Sequence, residues 1–140
     1  MNIGRTYEEI QLGDSTSFSK TISESDVYLF AGISGDVNPA HIDEEYAQKT
    51  IFKKRIAHGL ISVGLISAVL GNKLPGPGTI WISQSIKFLA PVHFNDTITA
   101  TVEIIEKIEE KKWIKFKSWC KNQDGKVVLE GDGVASPKRK

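Results

Sequence analysis

Leu60-Ile61-Ser62-Val63-Gly64-Leu65-Ile66-Ser67-Ala68-Val69-Leu70 is the stretch on which the fold turns. It is apolar nearly all round and interrupted only by small residues. That pattern predicts a helix buried on most sides, not a surface helix with one polar face. Ser62, Gly64, Ser67 and Ala68 would let other backbones approach closely. Gly71 is expected to close the helix, and Leu74-Pro75-Gly76-Pro77-Gly78 can only be a loop. The run is far too short to cross a bilayer.

Downstream the period changes from helix to strand. Ile80, Ile82, Ile86 and Phe88 alternate with Trp81, Ser83, Ser85 and Lys87; Ile98, Ala100, Val102 and Ile104 alternate with Thr97, Thr99, Thr101 and Glu103. Trp113 to Cys120 reads as a third strand. Asn122-Gln123-Asp124-Gly125 is a turn, and Lys126 to Val134 forms a last strand. Strands joined by short turns pair antiparallel. Gly131 and Gly133 share one face of the last strand, marking either a close helix contact or a bend. One long buried helix and such a sheet have one economical arrangement, in which the sheet curls around the helix.

Upstream, Ser15 to Ile22 reads as an edge strand. Ser23-Glu24-Ser25-Asp26 is a helix start with Ser23 as N-cap, and Gly32 and Gly35 weaken and end that helix. Asp43 caps a second short helix over Glu44 to Gln48. Helices first and strands after make the class α+β.

The bulk numbers bound what the chain does. Its 140 residues suit one domain, spanning residues 1–140, with no repeat or linker. Eighteen Lys and Arg against 17 Asp and Glu give a net charge of +1, without the basic excess of a nucleic-acid binder. The single cysteine, Cys120, cannot form an internal disulfide and points to a reducing compartment, the cytoplasm. Met1 to Glu9 has no apolar core of a signal peptide. The basic tail Pro137-Lys138-Arg139-Lys140 is expected to fray.

The chemistry lies just ahead of the long helix, in Gly35-Asp36-Val37-Asn38-Pro39-Ala40-His41-Ile42-Asp43 and Ala57-His58-Gly59. Asn38-Pro39 forces a turn that can bring the Asp36 carboxylate and the His41 ring to one side. A water held between them could lose a proton to one and be oriented by the other. Asn38 either ties down the loop or helps to hold a ligand. If the buried helix begins at Gly59, its first N–H groups lack intrahelical partners and suit an anion. His58 itself reads as a capping or packing residue. Ser67, about two turns further on, either faces the site or bonds the carbonyl four residues back. Ser62 reads as a packing residue. Three histidines without ligand spacing give no case for a metal. Lys53-Lys54-Arg55 is a solvated basic patch, or a rest for phosphates. His93 is expected exposed and Cys120 inert.

Gly35 to Asp43 resembles the signature of the MaoC-like dehydratases, in particular the (R)-specific enoyl-CoA hydratases. Ala57-His58-Gly59 and Ser83-Gln84-Ser85-Ile86-Lys87-Phe88-Leu89-Ala90-Pro91-Val92 are similar to the same family. The resemblance runs from about Arg5 to Ala135. It implies a hot-dog fold and a homodimer, and a hydro-lyase activity: reversible syn hydration of a trans-2-enoyl-CoA to the (R)-3-hydroxyacyl-CoA. Asp36 and His41 would be catalytic, the Gly59 N–H the oxyanion donor, and Asn38 and Ser67 substrate-binding residues. No metal or cofactor is implied, since CoA belongs to the acyl-CoA thioester substrate; nor is a nucleic-acid or membrane partner. Rival readings are a 3-hydroxyacyl-[acyl-carrier-protein] dehydratase and a non-catalytic acyl-CoA-binding protein.

Overall fold

The computed structural model describes residues 3–140. Met1 and Asn2, the start of the stretch read above for a signal peptide, lie outside the described residues. In chain order the elements are β1 (Ser15–Thr21), α1 (Glu24–Ser34), α2 (Pro39–Ile42), α3 (Glu44–Gln48), α4 (Gly59–Asn72), β2 (Ile80–Phe88), β3 (Thr97–Ile108), β4 (Trp113–Lys121) and β5 (Val127–Ser136). All five strands form one antiparallel sheet in the order β1-β3-β4-β5-β2. Helix α4 packs across β1, β2, β3 and β4, so the sheet wraps it as expected, giving the hot-dog arrangement.

The core follows the two periods. Leu65, Ile66, Val69 and Leu70 of α4 are buried against Ile98, Ala100, Val102 and Ile104 of β3 and against Ile114 and Phe116 of β4. Each of the larger of these side chains contributes about 1.5–3 kcal/mol by leaving water. Cys120 belongs to this core, and burial pushes its thiol up to about 12, so it is inert as expected.

Several expectations need correction. Helix α4 runs through Gly71 to Asn72, with the Lys73 N–H still bonded to the Val69 carbonyl. Tertiary packing outweighs the roughly 1 kcal/mol that a helical glycine costs. Nor is α4 buried on most sides of the single chain: Leu60, Gly64 and Ser67 are exposed. The alternation in β2 is broken by an irregularity between Trp81 and Ser83. Trp81, Gln84 and Ile86 are therefore the half-buried residues of β2, while Ile80 and Ile82 are exposed. Such an extra residue shifts every following side chain to the other face.

The β5 glycines answer to a strand and not to the helix. A Cβ at Gly131 would stand 1.9 Å from the Ser85 carbonyl oxygen, and one at Gly133 would stand 2.4 Å from that of Ser83. The tail is not frayed, because Lys138 forms a bridge with Thr6 and the Arg139 guanidinium donates to the Lys111 carbonyl. His93 is half-buried and bridges to Ile56. Burial, then the charge of Lys54, lowers its affinity for a proton.

Candidate active site

Helix α1 is set by its start and its stop. Ser23 accepts from the Asp26 N–H, and the Asp26 carboxylate accepts from the Ser23 N–H, so two orphan amides are satisfied at once. At the other end Gly35 takes φ 77°, a left-handed conformation that favours glycine. The chain therefore turns sharply just before Asp36. The Ser34 hydroxyl accepts from the Asp36 N–H at 3.0 Å, and the Asp36 Oδ1 accepts from the Asn38 N–H at 3.1 Å.

Asn38 then does what an N-cap does. Its side-chain oxygen accepts from the Ala40 N–H at 3.0 Å, and Pro39 occupies the first helical position. The result is α2, a single helical turn where the sequence indicated only a bend. It carries His41 on its last turn. The Ile56 carbonyl accepts from His41 Nδ1 at 2.7 Å, while the Ile56 N–H donates to the Ala40 carbonyl at 3.2 Å. Donation by Nδ1 leaves Nε2 as the acceptor of a neutral His41 ring.

The second segment meets the first at the head of α4. His58 is 3% exposed, its Nε2 donates to the Asp36 main-chain carbonyl at 2.9 Å, and its ring stacks on His41 with centroids 3.9 Å apart. The His58 side chain makes no capping bond to α4. The Ile61 N–H donates to the His58 carbonyl at 3.1 Å, while the Gly59 and Leu60 N–H groups have no acceptor among the described residues and suit a ligand. A Cβ on Gly59 would stand 2.5 Å from the Phe88 ring, so glycine is what allows this close approach.

Asp36, His41, His58 and Gly59 all line one cavity of about 420 Å³. Its walls are otherwise mostly apolar, with Phe30, Phe52, Leu89, Pro91 and Leu129 among them. An apolar slot with a few convergent polar groups fits a ligand that is hydrocarbon at one end and polar at its reacting atoms. Asp36, His41 and His58 each offer a ligand-type atom within 4.8 Å of the others. Ligands on one tetrahedral zinc stand only about 3.4 Å apart. The arrangement is better suited to moving protons than to gripping a cation.

Two residues named from sequence are not brought to this cavity. Asn38 is an exposed helix cap, and Ser67 is exposed on α4 outside the lining. Eight residues of helix advance about 12 Å and rotate about 80° from Gly59, enough to leave the site. Ser62, read as packing, is buried and does line the cavity, and its carbonyl accepts from the Cys120 thiol at 3.7 Å. His58, read as a capping or packing residue, makes no capping bond and lines the cavity. Its only signal was a histidine immediately before a helix that lacks a better cap.

The basic segment divides. Arg55 donates to Glu44 at 3.0 Å and to the Tyr28 hydroxyl at 2.7 Å, pairs with Glu24 at 3.1 Å and lies over the Phe94 ring. The Tyr28 hydroxyl, then Arg55, holds Glu24 below the usual carboxylate range. Arg55 therefore clamps α1 to α3, and only Lys53 and Lys54 are left exposed.

Comparison with known proteins gives a consistent picture. Residues 9–122 match the family model described as MaoC like domain. The chain is 58% identical, over 91% of its length and 88% of the relative's, to an (R)-specific enoyl-CoA hydratase of Rhodospirillum rubrum. It is 44% identical, over 96% and 85%, to a 3-hydroxybutyryl-CoA dehydratase of Methylorubrum extorquens. An unliganded R-hydratase from Pseudomonas aeruginosa superposes with a TM-score of 0.92 at 38% identity, covering 98% of this chain and 88% of that one.

Proposed function

The chain belongs to the MaoC-like domain family, and from that premise we propose that it is an (R)-specific enoyl-CoA hydratase. The observation that carries this reading is the convergence of Asp36, His41 and the open N-terminus of α4 on one cavity. The thioester carbonyl docks against the Gly59 N–H, where the helix dipole favours developing negative charge. Polarisation of that carbonyl makes C3 electrophilic. A water held by the Asp36 carboxylate and His41 Nε2 adds its oxygen to C3 and gives a proton to the pair. The pair returns a proton to C2 on the same face, so addition is syn. A carboxylate and an imidazole this close act as one proton-handling unit.

Lys53 and Lys54, exposed ahead of the site, suit the phosphates of CoA. The reaction as written calls on no metal or other cofactor. The lone buried thiol suits a reducing compartment, the cytoplasm, and no helix among the described residues is long and apolar enough to cross a membrane.

Incubation with crotonyl-CoA tests the activity, followed by loss of the enoyl-thioester absorbance and by the configuration of the product. The expected result is (R)-3-hydroxybutyryl-CoA. An (S) product, or no hydration of short and medium trans-2-enoyl-CoAs, would refute it, and hydration of carrier-protein thioesters alone would favour the carrier-protein dehydratase.

The working unit in this proposal is a homodimer. Ile80 and Ile82 are exposed on β2, which is an edge strand among the described residues, and Leu60 is exposed on α4. Leu29, Val37 and Ile33, the last 85% exposed, add apolar surface from α1 and the loop after it. Surfaces of this kind mark protein contacts. A second copy over the open flank of α4 would also cover Ser67, and any role of that hydroxyl in binding depends on it. Sedimentation equilibrium should give twice the 15.5 kDa chain mass; a monomer at micromolar concentration would contradict the dimer.

A further inference from the structure

His58 is an expensive residue for its place. Its Nδ1 is buried and has no hydrogen-bond partner among the described residues, and a buried polar atom left unpaired by protein costs about 1–3 kcal/mol. An apolar side chain would fill the space without that penalty, and Ser, Thr, Asp or Asn would cap α4 where His58 caps nothing. Neither packing nor capping accounts for an imidazole here. What the imidazole does uniquely is touch each part of the site. Nε2 holds the Asp36 carbonyl at 2.9 Å, one face stacks on His41 at 3.9 Å and 28°, and Phe30 abuts the ring at 4.7 Å. Its own backbone leads directly into Gly59.

From this we infer that His58 is a positioning residue that locks the Asp36 loop and the His41 ring to the oxyanion donor. The inference rests on the hydratase reading for its kinetic consequence, though not for its structural one. Residues 35–38 are exposed. Their other hydrogen bonds among the described residues are short-range: to Ala31, Ser34, Ala40 and His41, and among themselves. Such bonds shape the loop without fixing it to the helix. The His58 bond spans 22 residues and supplies the tertiary anchor. The stack, with the Ile56 carbonyl on Nδ1, leaves the His41 ring one orientation. Displacing a reacting group by an ångström costs about 10²-fold in rate.

Two variants separate the anchor from the stack. In His58→Gln the amide nitrogen can take the place of Nε2, keeping the donor to Asp36 while losing the ring. In His58→Phe the stacked ring is kept and the donor is lost. Crotonyl-CoA kinetics should show kcat lowered about 10²-fold in His58→Phe and about tenfold in His58→Gln, with KM within about threefold of the parent in both. Amide hydrogen exchange at Val37 and Asn38 should accelerate in His58→Phe and stay near the parent rate in His58→Gln. If His58→Phe does not fold, His58→Gln alone decides, by its lowered kcat with unchanged exchange in the loop. Parent-like kcat in either folded variant, loss confined to KM, or unchanged loop exchange in His58→Phe would overturn the inference. Failure of the parent protein to hydrate any enoyl thioester would instead refute the hydratase reading, and the exchange measurement would still judge the anchor.

Discussion

Asp36→Asn and His41→Gln should each lower kcat for crotonyl-CoA hydration by about 10²–10⁴-fold, the usual worth of a positioned acid or base. The substitutions remove proton transfer while sparing shape. Asn at 36 keeps an oxygen to accept from the Asn38 N–H, and Asp36 is exposed, so no core contact is lost. Gln at 41 still offers a donor toward the Ile56 carbonyl. Thermal denaturation midpoints should therefore stay close to the parent value. The double variant should lose little more than the worse single one, because the two groups act on the same water. Near-normal hydration by either folded single variant would remove the Asp36/His41 pair from the mechanism.

Gly59→Pro should cost about 10²–10³-fold in kcat, the typical loss when one oxyanion donor is removed. Proline is tolerated at the first position of a helix, where its missing N–H costs no intrahelical bond. It also wants an extended residue before it, and His58 already has φ −61° and ψ 133°. What it deletes is the main-chain donor itself. Any Cβ at 59 meets the Phe88 ring, so the comparison belongs in a Phe88→Ala background. There Gly59→Ala is the control, since it adds the same Cβ and keeps the N–H. Hydration should fall steeply for proline and by less than about tenfold for alanine. Equal rates for the two would show that the carbonyl is not held by this amide.

Much of the scaffold was legible because it depends on local rules. The Ser23 cap, the left-handed stop at Gly35, the Asp43 cap and the alternation of β3 are each written in a few neighbouring residues. The convergence of Asp36 and His41 was legible too, because Asn38 and Pro39 fix a turn and its outcome follows from sterics. The helical turn α2 was hidden for a related reason: four residues are too few to show a period.

Sequence expectation and structure part where contacts over long sequence distances decide. Ile80 and Ile82 fit an inward face until the irregularity after Trp81 changes the phase of β2, which depends on pairing with β5. Ser67 and Ser62 are both small polar residues on one apolar helix, and only the wrapping of the sheet shows which lines the cavity. His58 looked like a packing residue because its partners, Asp36 and His41, lie 22 and 17 positions back in the chain.

By itself the sequence determined the α+β class, the long apolar helix and the turn that brings a carboxylate and an imidazole together, since periodicity, capping and turn sterics act between near neighbours. The tertiary structure alone decided which serine meets the cavity, which strand face turns inward, and that a second histidine joins the acid, the base and the helix end. Those are settled by how the sheet closes on the helix, and no local run of residues encodes that closure.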